Sequence, residues 1–324
     1  MKMNNRVWIL EDEGLPHDEE ISIYKQANLH VKQSTKATFN DDFHSFGKYA
    51  NAIVASVEFS LDEMVINQLE QCKIICSFGM GFDQIDVTAA TKNNIYVTHV
   101  PNYCHEEVAD HTLALSLALL RRLFDYNKQV KNGLWQPTNT TPIQRLSETV
   151  VGLLGFGQIA RIVAKRFRPF GVKLIAHDKY VAVHHFNNYQ VTSVSLDELL
   201  MKSHLLSLHV PLTLETKHLL NKTNLAKMRP NSLIVNTCRG EVIDEQALIK
   251  SIREGHILGA GLDVLNEEPP ERHNELLQMD EVIITPHAAY YSEQAEKQMQ
   301  IETAENVLRV LENKRPINVI NKLN

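Results

Sequence analysis

Residues 150–160 read Val-Val-Gly-Leu-Leu-Gly-Phe-Gly-Gln-Ile-Ala. An apolar run ending at Gly155, followed by Gly157 and Ala160 at the opening of a helical pattern, has the G-x-G-x-x-G/A spacing of a strand-to-helix turn. Gly155 permits the tight turn, Gly157 lets backbone approach a pyrophosphate, and Ala160 allows the helix to pack closely on the strand. The helix N-terminus adds unpaired N–H groups and a partial positive charge. Taken alone, this spacing also occurs in ordinary glycine-rich turns. Here Gly171 closes the helix, a second strand pattern covers 172–177, and Asp178 stands 23 positions after Gly155. An acid at that place accepts a hydrogen bond from a ribose 2′-OH and repels a 2′-phosphate. The string therefore predicts dinucleotide binding, with NAD preferred over NADP.

The rest of the chain supplies the alternation such a unit needs. Short β-rich runs alternate with helical patterns over nearly all 324 residues, which predicts an α/β protein with parallel sheet, in two domains. In the first hundred residues strands are expected at 7–10, 53–55, 73–77 and 95–98, with helices between them, for example 62–70. A long helix is expected from 105 to 131, after the boundary set by Val100-Pro101 and before the stop at Asn132-Gly133. A turn-rich stretch, 136–142, leads into strands at 149–154, 173–177, 205–209, 232–236, 258–263 and 282–285. Helices fit 158–170, 196–202 and 245–253, and a last one, 293–312, closes the chain.

Composition removes several function classes. The charge sum is 33 − 39 = −6, which argues against a nucleic-acid surface. The longest apolar run, 113–120, is interrupted by Ser116 and is far shorter than the ~20 residues of a membrane span. The first ten residues carry too short an apolar run for a signal peptide. Cys72, Cys76, Cys104 and Cys238 form no paired C-x-x-C motif, so neither a zinc site nor a disulfide framework is expected, and a reducing cytoplasm is. The acidic groups Glu11-Asp12-Glu13 and Asp18-Glu19-Glu20 match no cation-binding loop and read as solvated. His184, His185, His204, His209 and His218 have no ligand spacing, so no metal is expected.

Three further strings fall at the ends of expected strands, where open α/β sheets place their ligands. They are Asn236-Thr237-Cys238-Arg239-Gly240, the run 261–270 containing Asp263, Glu267, Glu268 and Pro269, and Thr285-Pro286-His287-Ala288-Ala289. Singly, each has a bland explanation: Arg239 a surface ion-pair partner, Glu268 a loop charge, His287 a capping or core histidine.

Together with the glycine loop, these strings resemble the D-isomer-specific 2-hydroxyacid dehydrogenase family. The resemblance runs from about residue 73 to 305 and includes the loop Phe78-Gly79-Met80-Gly81-Phe82-Asp83-Gln84-Ile85-Asp86 and the helix start Glu107-Val108-Ala109-Asp110-His111-Thr112. The run 287–295, His-Ala-Ala-Tyr-Tyr-Ser-Glu-Gln-Ala, is most similar to the branch containing the C-terminal-binding proteins and their bacterial relatives.

The resemblance implies hydride transfer between NAD(H) and a 2-oxo or D-2-hydroxy acid. Arg239 would grip the substrate carboxylate and carbonyl, and His287 would be the general acid or base. Glu268 would orient the imidazole and favour its charged form, leaving Glu267 a bystander. Asp263 would hold the nicotinamide carboxamide, and Thr112 would approach the same ring. The cofactor contacts would also include Gly155, Gly157, Gln158, Ile159, Asp178, His209, Val210, Pro211, Thr237, Cys238, Arg239 and His287. The N–H groups of Met80 and Gly81 would receive the substrate carboxylate.

The sequence departs from the family pattern in three places. Ser77 stands where many relatives carry Arg, leaving Arg239 and the loop N–H groups as the main carboxylate clamp. Tyr290 replaces a Trp of the C-terminal-binding proteins and reads as an aromatic wall of the pocket. Cys238 fills a place usually held by a small inert residue and reads as a buried inert thiol.

The resemblance further implies two doubly wound domains, with substrate-domain residues 1–100 and 289–324 enclosing an NAD-binding domain at 101–288. Hinges would lie near 100–101 and 285–289, with the active site in the cleft between domains, and a homodimer would be built on the long helix. Small acids such as glyoxylate, hydroxypyruvate or pyruvate are the expected substrates. 3-Phosphoglycerate is the alternative, weakened because Arg6 is the only arginine in the first hundred residues, which hold 8 Lys+Arg against 14 Asp+Glu. The short stretch after the last helix also reads as leaving no room for a regulatory domain. An NAD(H)-sensing binding protein is a rival reading, which an intact Arg239, Glu268 and His287 set disfavours. Formate oxidation goes with Gln before the proline, where this chain has Glu268.

Overall fold

The computed structural model describes residues 5–12, 14–137 and 143–323. Glu13 and most of the turn-rich stretch expected at 136–142 lie outside the described residues. The chain divides into two units: Met1–Cys104 with Ser292–Asn324, and His105–Tyr291, so that the second is inserted into the first. The sequence placed these breaks after residues 100 and 288.

The first unit holds β1 (Arg6–Leu10), β2 (His30–Ser34), β3 (Ala52–Ala55), β4 (Ile74–Ser77) and β5 (Tyr96–Thr98). They form one parallel sheet in the order β2-β1-β3-β4-β5, a doubly wound arrangement whose switch point lies between β1 and β3. Successive residues face opposite layers. Trp8, Leu10, Ile53, Ala55 and Ile75 pack on one face, and Val7, Ile9, Ala52, Val54, Ile74 and Cys76 on the other. The second face is covered by the Glu293–Leu311 helix, whose Met299, Ala304, Val307 and Val310 pack against it. That helix starts at Ser292, whose hydroxyl accepts the Ala295 N–H at 3.0 Å.

The second unit holds β6 (Val150–Leu154), β7 (Lys173–His177), β8 (Thr192–Ser193), β9 (Leu205–Leu208), β10 (Ser232–Asn236), β11 (Ile257–Leu262) and β12 (Val282–Ile284). Their order is β12-β11-β10-β9-β6-β7-β8, all pairs parallel, with the switch point between β6 and β9. The central strands β6, β9 and β10 are buried almost throughout, as expected when helices cover both faces. Among the described residues no helix is long and apolar enough to cross a membrane.

Three expectations need correction. The helix expected at 105–131 is two helices, His105–Leu120 and Leu123–Lys131, separated at Arg122, whose φ is 54°. The first buries Val108, Ala109, Thr112, Leu115, Ser116 and Leu119, whereas the second buries nothing, so the chain turns where its contact with the core ends. The helix expected at 62–70 shortens to Glu63–Ile66, capped by the Asp62 side chain. The acidic segment at 11–20 is not wholly solvated, because Glu11 and Glu20 are buried around His17.

Candidate active site

In the His105–Tyr291 unit, Gly155 follows β6 at the switch point with φ +89°. A Cβ there would lie 2.3 Å from the His209 carbonyl oxygen, so both the conformation and the close approach of the two chains demand glycine. His209, Val210 and Pro211 thereby stand beside the loop, with the His209 N–H donating to the Leu154 carbonyl at 2.7 Å. A Cβ on Gly157 would meet nothing within 4 Å, which leaves open space over the start of the Gln158–Phe167 helix. No side chain caps that helix, so the N–H groups of its first turn, including those of Gln158 and Ile159, are placed to receive an anion. Asp178, just past β7, accepts the Phe156 N–H at 2.8 Å and the Tyr180 N–H at 2.8 Å, tying the acid to the glycine loop. These features fit a dinucleotide.

Further along the same sheet edge, Asn236 shapes the turn that carries Arg239. Fully buried, it donates to the Arg239 carbonyl at 2.9 Å and accepts the Cys238 N–H at 3.0 Å. Burial pushes the Cys238 thiol up, as an inert thiol requires. Thr112 is fully buried, and its hydroxyl donates to the Val108 carbonyl at 2.7 Å and so accepts from Thr237 at 2.9 Å.

Asp263, following β11, organises the segment that bears His287. Its Oδ1 accepts from Thr285 Oγ1 at 2.6 Å and from the Ala288 N–H at 2.9 Å, and its Oδ2 accepts the Ala289 N–H at 2.9 Å. The Asp263 carbonyl accepts the His287 N–H at 2.8 Å. Because the Thr285 hydroxyl hydrogen is committed to Asp263, His111 Nε2 is the donor in its 3.0 Å contact with Thr285. His287 is held in the left-handed region, with φ 51°. Such backbone strain persists where its surroundings over-determine it and is concentrated at functional sites. Tyr290, half-buried, lies just beyond Ala289.

The result is a pair. His287 Nδ1 lies 2.6 Å from Glu268 Oε2, and Glu268 Oε1 accepts the Leu265 N–H at 2.9 Å. Each side chain keeps 34% of its surface exposed. Burial favours the neutral form of both groups. For Glu268, the His287 hydrogen bond and charge outweigh burial and hold the carboxyl below its ordinary range. For His287, the Glu268 hydrogen bond and charge, with that of Asp263, outweigh burial and Arg239 and raise the imidazole. An ionised carboxylate only accepts, so Nδ1 carries the hydrogen and Nε2 is the nitrogen left for proton transfer. His209, by contrast, is pushed down to about 3 by burial and is neutral at ordinary pH.

In the other unit the loop after β4 is pinned by its carbonyls. The Gly79 carbonyl accepts the Val100 N–H at 2.8 Å, and His99 Nδ1 contacts the Met80 carbonyl at 2.7 Å. Ser77 Oγ donates to the Gly81 carbonyl and accepts from Gln84 Nε2 at 2.9 Å. Ser77 therefore does more than omit a cation: it fixes the loop. Gly79 has φ +144°, open to glycine alone. The N–H groups of Met80 and Gly81 donate to no described residue.

Residues 113–289 match the model of the D-isomer specific 2-hydroxyacid dehydrogenase NAD binding domain. A glyoxylate reductase of Thermofilum pendens is 37% identical over 280 residues, covering 84% of this chain and 81% of that one. The chain belongs to this family. It is thus an NAD-dependent oxidoreductase of the D-2-hydroxyacid dehydrogenase type. A D-3-phosphoglycerate dehydrogenase of Methanocaldococcus jannaschii is 34% identical across 95% of this chain but only 58% of its own length. Among solved structures, a D-lactate dehydrogenase of Aquifex aeolicus, complexed with NAD and lactic acid, superposes with a TM-score of 0.85. It is 30% identical, over 95% of this chain and 96% of that one. The residues that spacing could not have singled out as a group are Asn236, His111 and Thr285, which the dehydrogenase fold uses to hold the turn at Arg239 and the segment at His287.

Proposed function

We propose that this dehydrogenase reduces a small 2-oxo acid, of the glyoxylate, hydroxypyruvate or pyruvate class, to the D-2-hydroxy acid, and catalyses the reverse reaction. The observation that carries this reading is the Glu268–His287 pair at 2.6 Å, with the carboxylate itself fixed by a backbone N–H. His287 Nε2 donates its proton to the carbonyl oxygen during reduction and recovers it during oxidation. Glu268 stabilises the imidazolium that serves as the acid. Arg239 offers a planar fork of donors to the substrate carboxylate and carbonyl, and the N–H groups of Met80 and Gly81, which donate to no described residue, receive the carboxylate. Tyr290 provides an apolar wall. When bound, the nicotinamide supplies the hydride.

For the cofactor, Gly155, Gly157, Gln158 and Ile159 form the pyrophosphate cradle, and His209, Val210, Pro211, Thr237, Cys238 and Arg239 line the same strand ends. Asp263 Oδ2, with a single donor among the described residues, has capacity left for a carboxamide N–H. Thr112 acts through Thr237. The Asp178 carboxylate selects NADH over NADPH. The His105–Tyr291 unit thus supplies the cofactor contacts together with Arg239, Glu268, His287 and Tyr290, and the other unit supplies the Met80 and Gly81 N–H groups. An intact acid–base pair weighs against a role confined to sensing NAD(H).

The chain is further proposed to form a homodimer in the cytoplasm. Leu123 (55% exposed), Phe124 (54%), Leu134 (56%) and Trp135 (85%) are exposed apolar side chains at the start and just after the end of a helix with no buried residue, and a second copy would cover them. All four cysteines are free thiols, in keeping with a reducing compartment. A monomeric mass by light scattering would remove the dimer.

The reaction is tested by following NADH and NADPH consumption with a panel of 2-oxo acids, with His287→Ala alongside. Turnover with NADH that collapses in the variant supports the reading. Tight NADH binding without turnover on any acid would overturn it.

A further inference from the structure

The mechanism leaves a group of buried ionisable side chains unused. Glu11 directly follows β1, and His17 and Glu20 stand at the start of the Asp18–Gln26 helix, at the carboxyl end of the sheet beside its switch point. Their exposures are 2%, 3% and 0%. His17 Nδ1 is hydrogen-bonded to Glu20, and His17 Nε2 faces Glu11 Oε2 at 3.6 Å. Tyr24 donates its hydroxyl to Glu20 Oε2 at 3.3 Å. Burial alone would strip the charge from His17, but the two carboxylates push it up to about 9, so the imidazolium persists at neutral pH. Among the described residues no three such side chains are arranged to hold a metal ion. A buried ion pair is weak evidence for stability, because desolvation offsets most of the attraction and apolar replacements often do as well. The cluster therefore calls for a use other than holding the core together.

Its neighbour supplies one. The His17 ring lies on the Phe78 ring, with centroids 4.4 Å apart and planes 32° from parallel. Phe78, 4% exposed, is the last residue before Gly79-Met80-Gly81. The far side of this loop is fastened by Val100, His99 and Ser77, each holding a carbonyl. On the near side the fastening is the Phe78 N–H, which donates to Ala55 at 2.8 Å, and the packing of its ring. An imidazole hydrogen-bonded to Glu20 through Nδ1, with Nε2 turned to the Glu11 carboxylate, is held in one orientation and so forms a wall for that ring.

We propose that the Glu11–His17–Glu20 cluster is the positioning device of the carboxylate-receiving loop: it locks His17 as a plate against Phe78 and so sets the direction of the Met80 and Gly81 N–H groups. His17 touches no substrate and is a positioning residue. The kinetic part of this inference rests on the function proposed above; the structural part does not.

The test uses the full chain and two variants, His17→Asn and Phe78→Leu, the second leaving the charged cluster whole should the first fail to fold. Steady-state kinetics with glyoxylate and NADH are paired with hydrogen–deuterium exchange of peptides covering 78–84. In both variants KM for glyoxylate should rise about tenfold while kcat and KM for NADH stay within about twofold, the split that separates loop positioning from general loosening. Exchange in 78–84 should quicken while β1 and β3 stay protected. Unchanged exchange in 78–84, or kcat and both KM values moving together, overturns the proposal. If the parent protein turns over no 2-oxo acid, the proposed function fails, and the exchange measurement still decides the role of His17.

Discussion

Glu268 Oε2 lies 2.6 Å from Nδ1 of His287, and the other oxygen of the same carboxylate is held at 2.9 Å by the Leu265 N–H. The carboxylate thus has one orientation, and it fixes both the tautomer and the charge of the imidazole. Reduction needs the protonated ring, so its rate falls as pH rises through the His287 pKa. Glu268 raises that pKa. In Glu268→Gln the falling limb for reduction should move to lower pH, and the rising limb for oxidation should move with it. Removing the acid altogether, in His287→Ala, should lower kcat by about 10²–10⁴. Rate profiles from pH 5 to 9 in both directions check this, and a Glu268→Gln profile that coincides with the parent's would contradict it.

Asp178 holds the glycine loop through the Phe156 N–H while presenting a negative charge at the end of β7. Asp178→Asn keeps an acceptor for that N–H and removes the charge. KM for NADH should rise about tenfold, in line with one weakened charge-assisted hydrogen bond. NADPH should become a better substrate than in the parent. Cofactor kinetics in the two forms decide the matter, and an unchanged NADPH rate would show that Asp178 is not the discriminator.

The two loop glycines should fail differently. At Gly155 an alanine meets both a φ of +89° and the His209 carbonyl at 2.3 Å, so Gly155→Ala should lower the melting temperature by several degrees even without cofactor. At Gly157 there is open space and an ordinary φ of −73°, so Gly157→Ala should melt with the parent yet bind NADH at least tenfold more weakly. Thermal melts with and without NADH separate the two effects.

Much of this site was legible in the chain because its chemistry sits in short contiguous strings. Gly155 to Ala160, Arg239, Glu268 and His287 all follow strands whose β-branched and leucine runs mark them plainly, and the expected ends of β6, β7, β9, β10 and β11 lie within a residue or so of those observed. The polar edge strand β2, His-Val-Lys-Gln-Ser, escaped for the opposite reason: it lacks the apolar pattern that burial on two faces imposes. The break at Arg122 was hidden because helical periodicity continues through it. Its cause is tertiary, the end of contact with the core after Leu119. The partnership of His111 with Thr285 spans 174 positions, and no local pattern announces it. The acidic segment misled most. Charged residues are normally solvated, and Glu11 and Glu20 are buried only because His17 lies between them.

That burial makes alkaline stability the most direct probe of the cluster. His17 titrates near 6.5 when unfolded and is pushed up to about 9 in the fold. A raised histidine contributes stability that is complete below the unfolded pKa and is lost as pH climbs through the folded one, here between 6.5 and 9. The groups facing it act in compatible directions. Burial, with a smaller push from the Glu11 charge, raises Glu20, so its share starts to be lost at lower pH, and Glu11 also strengthens the imidazolium. Tyr24 is held well above its ordinary 10, and Cys76 is pushed up to about 12 from 9.0, so their losses come at higher pH. Between pH 6.5 and 9 the melting temperature of the parent should therefore fall by several degrees. In His17→Gln it should start lower and stay nearly flat across the same interval. Melts at half-unit steps, in buffers of matched ionic strength, give the comparison, and parallel curves for the two proteins would mean that His17 is not charged in the fold.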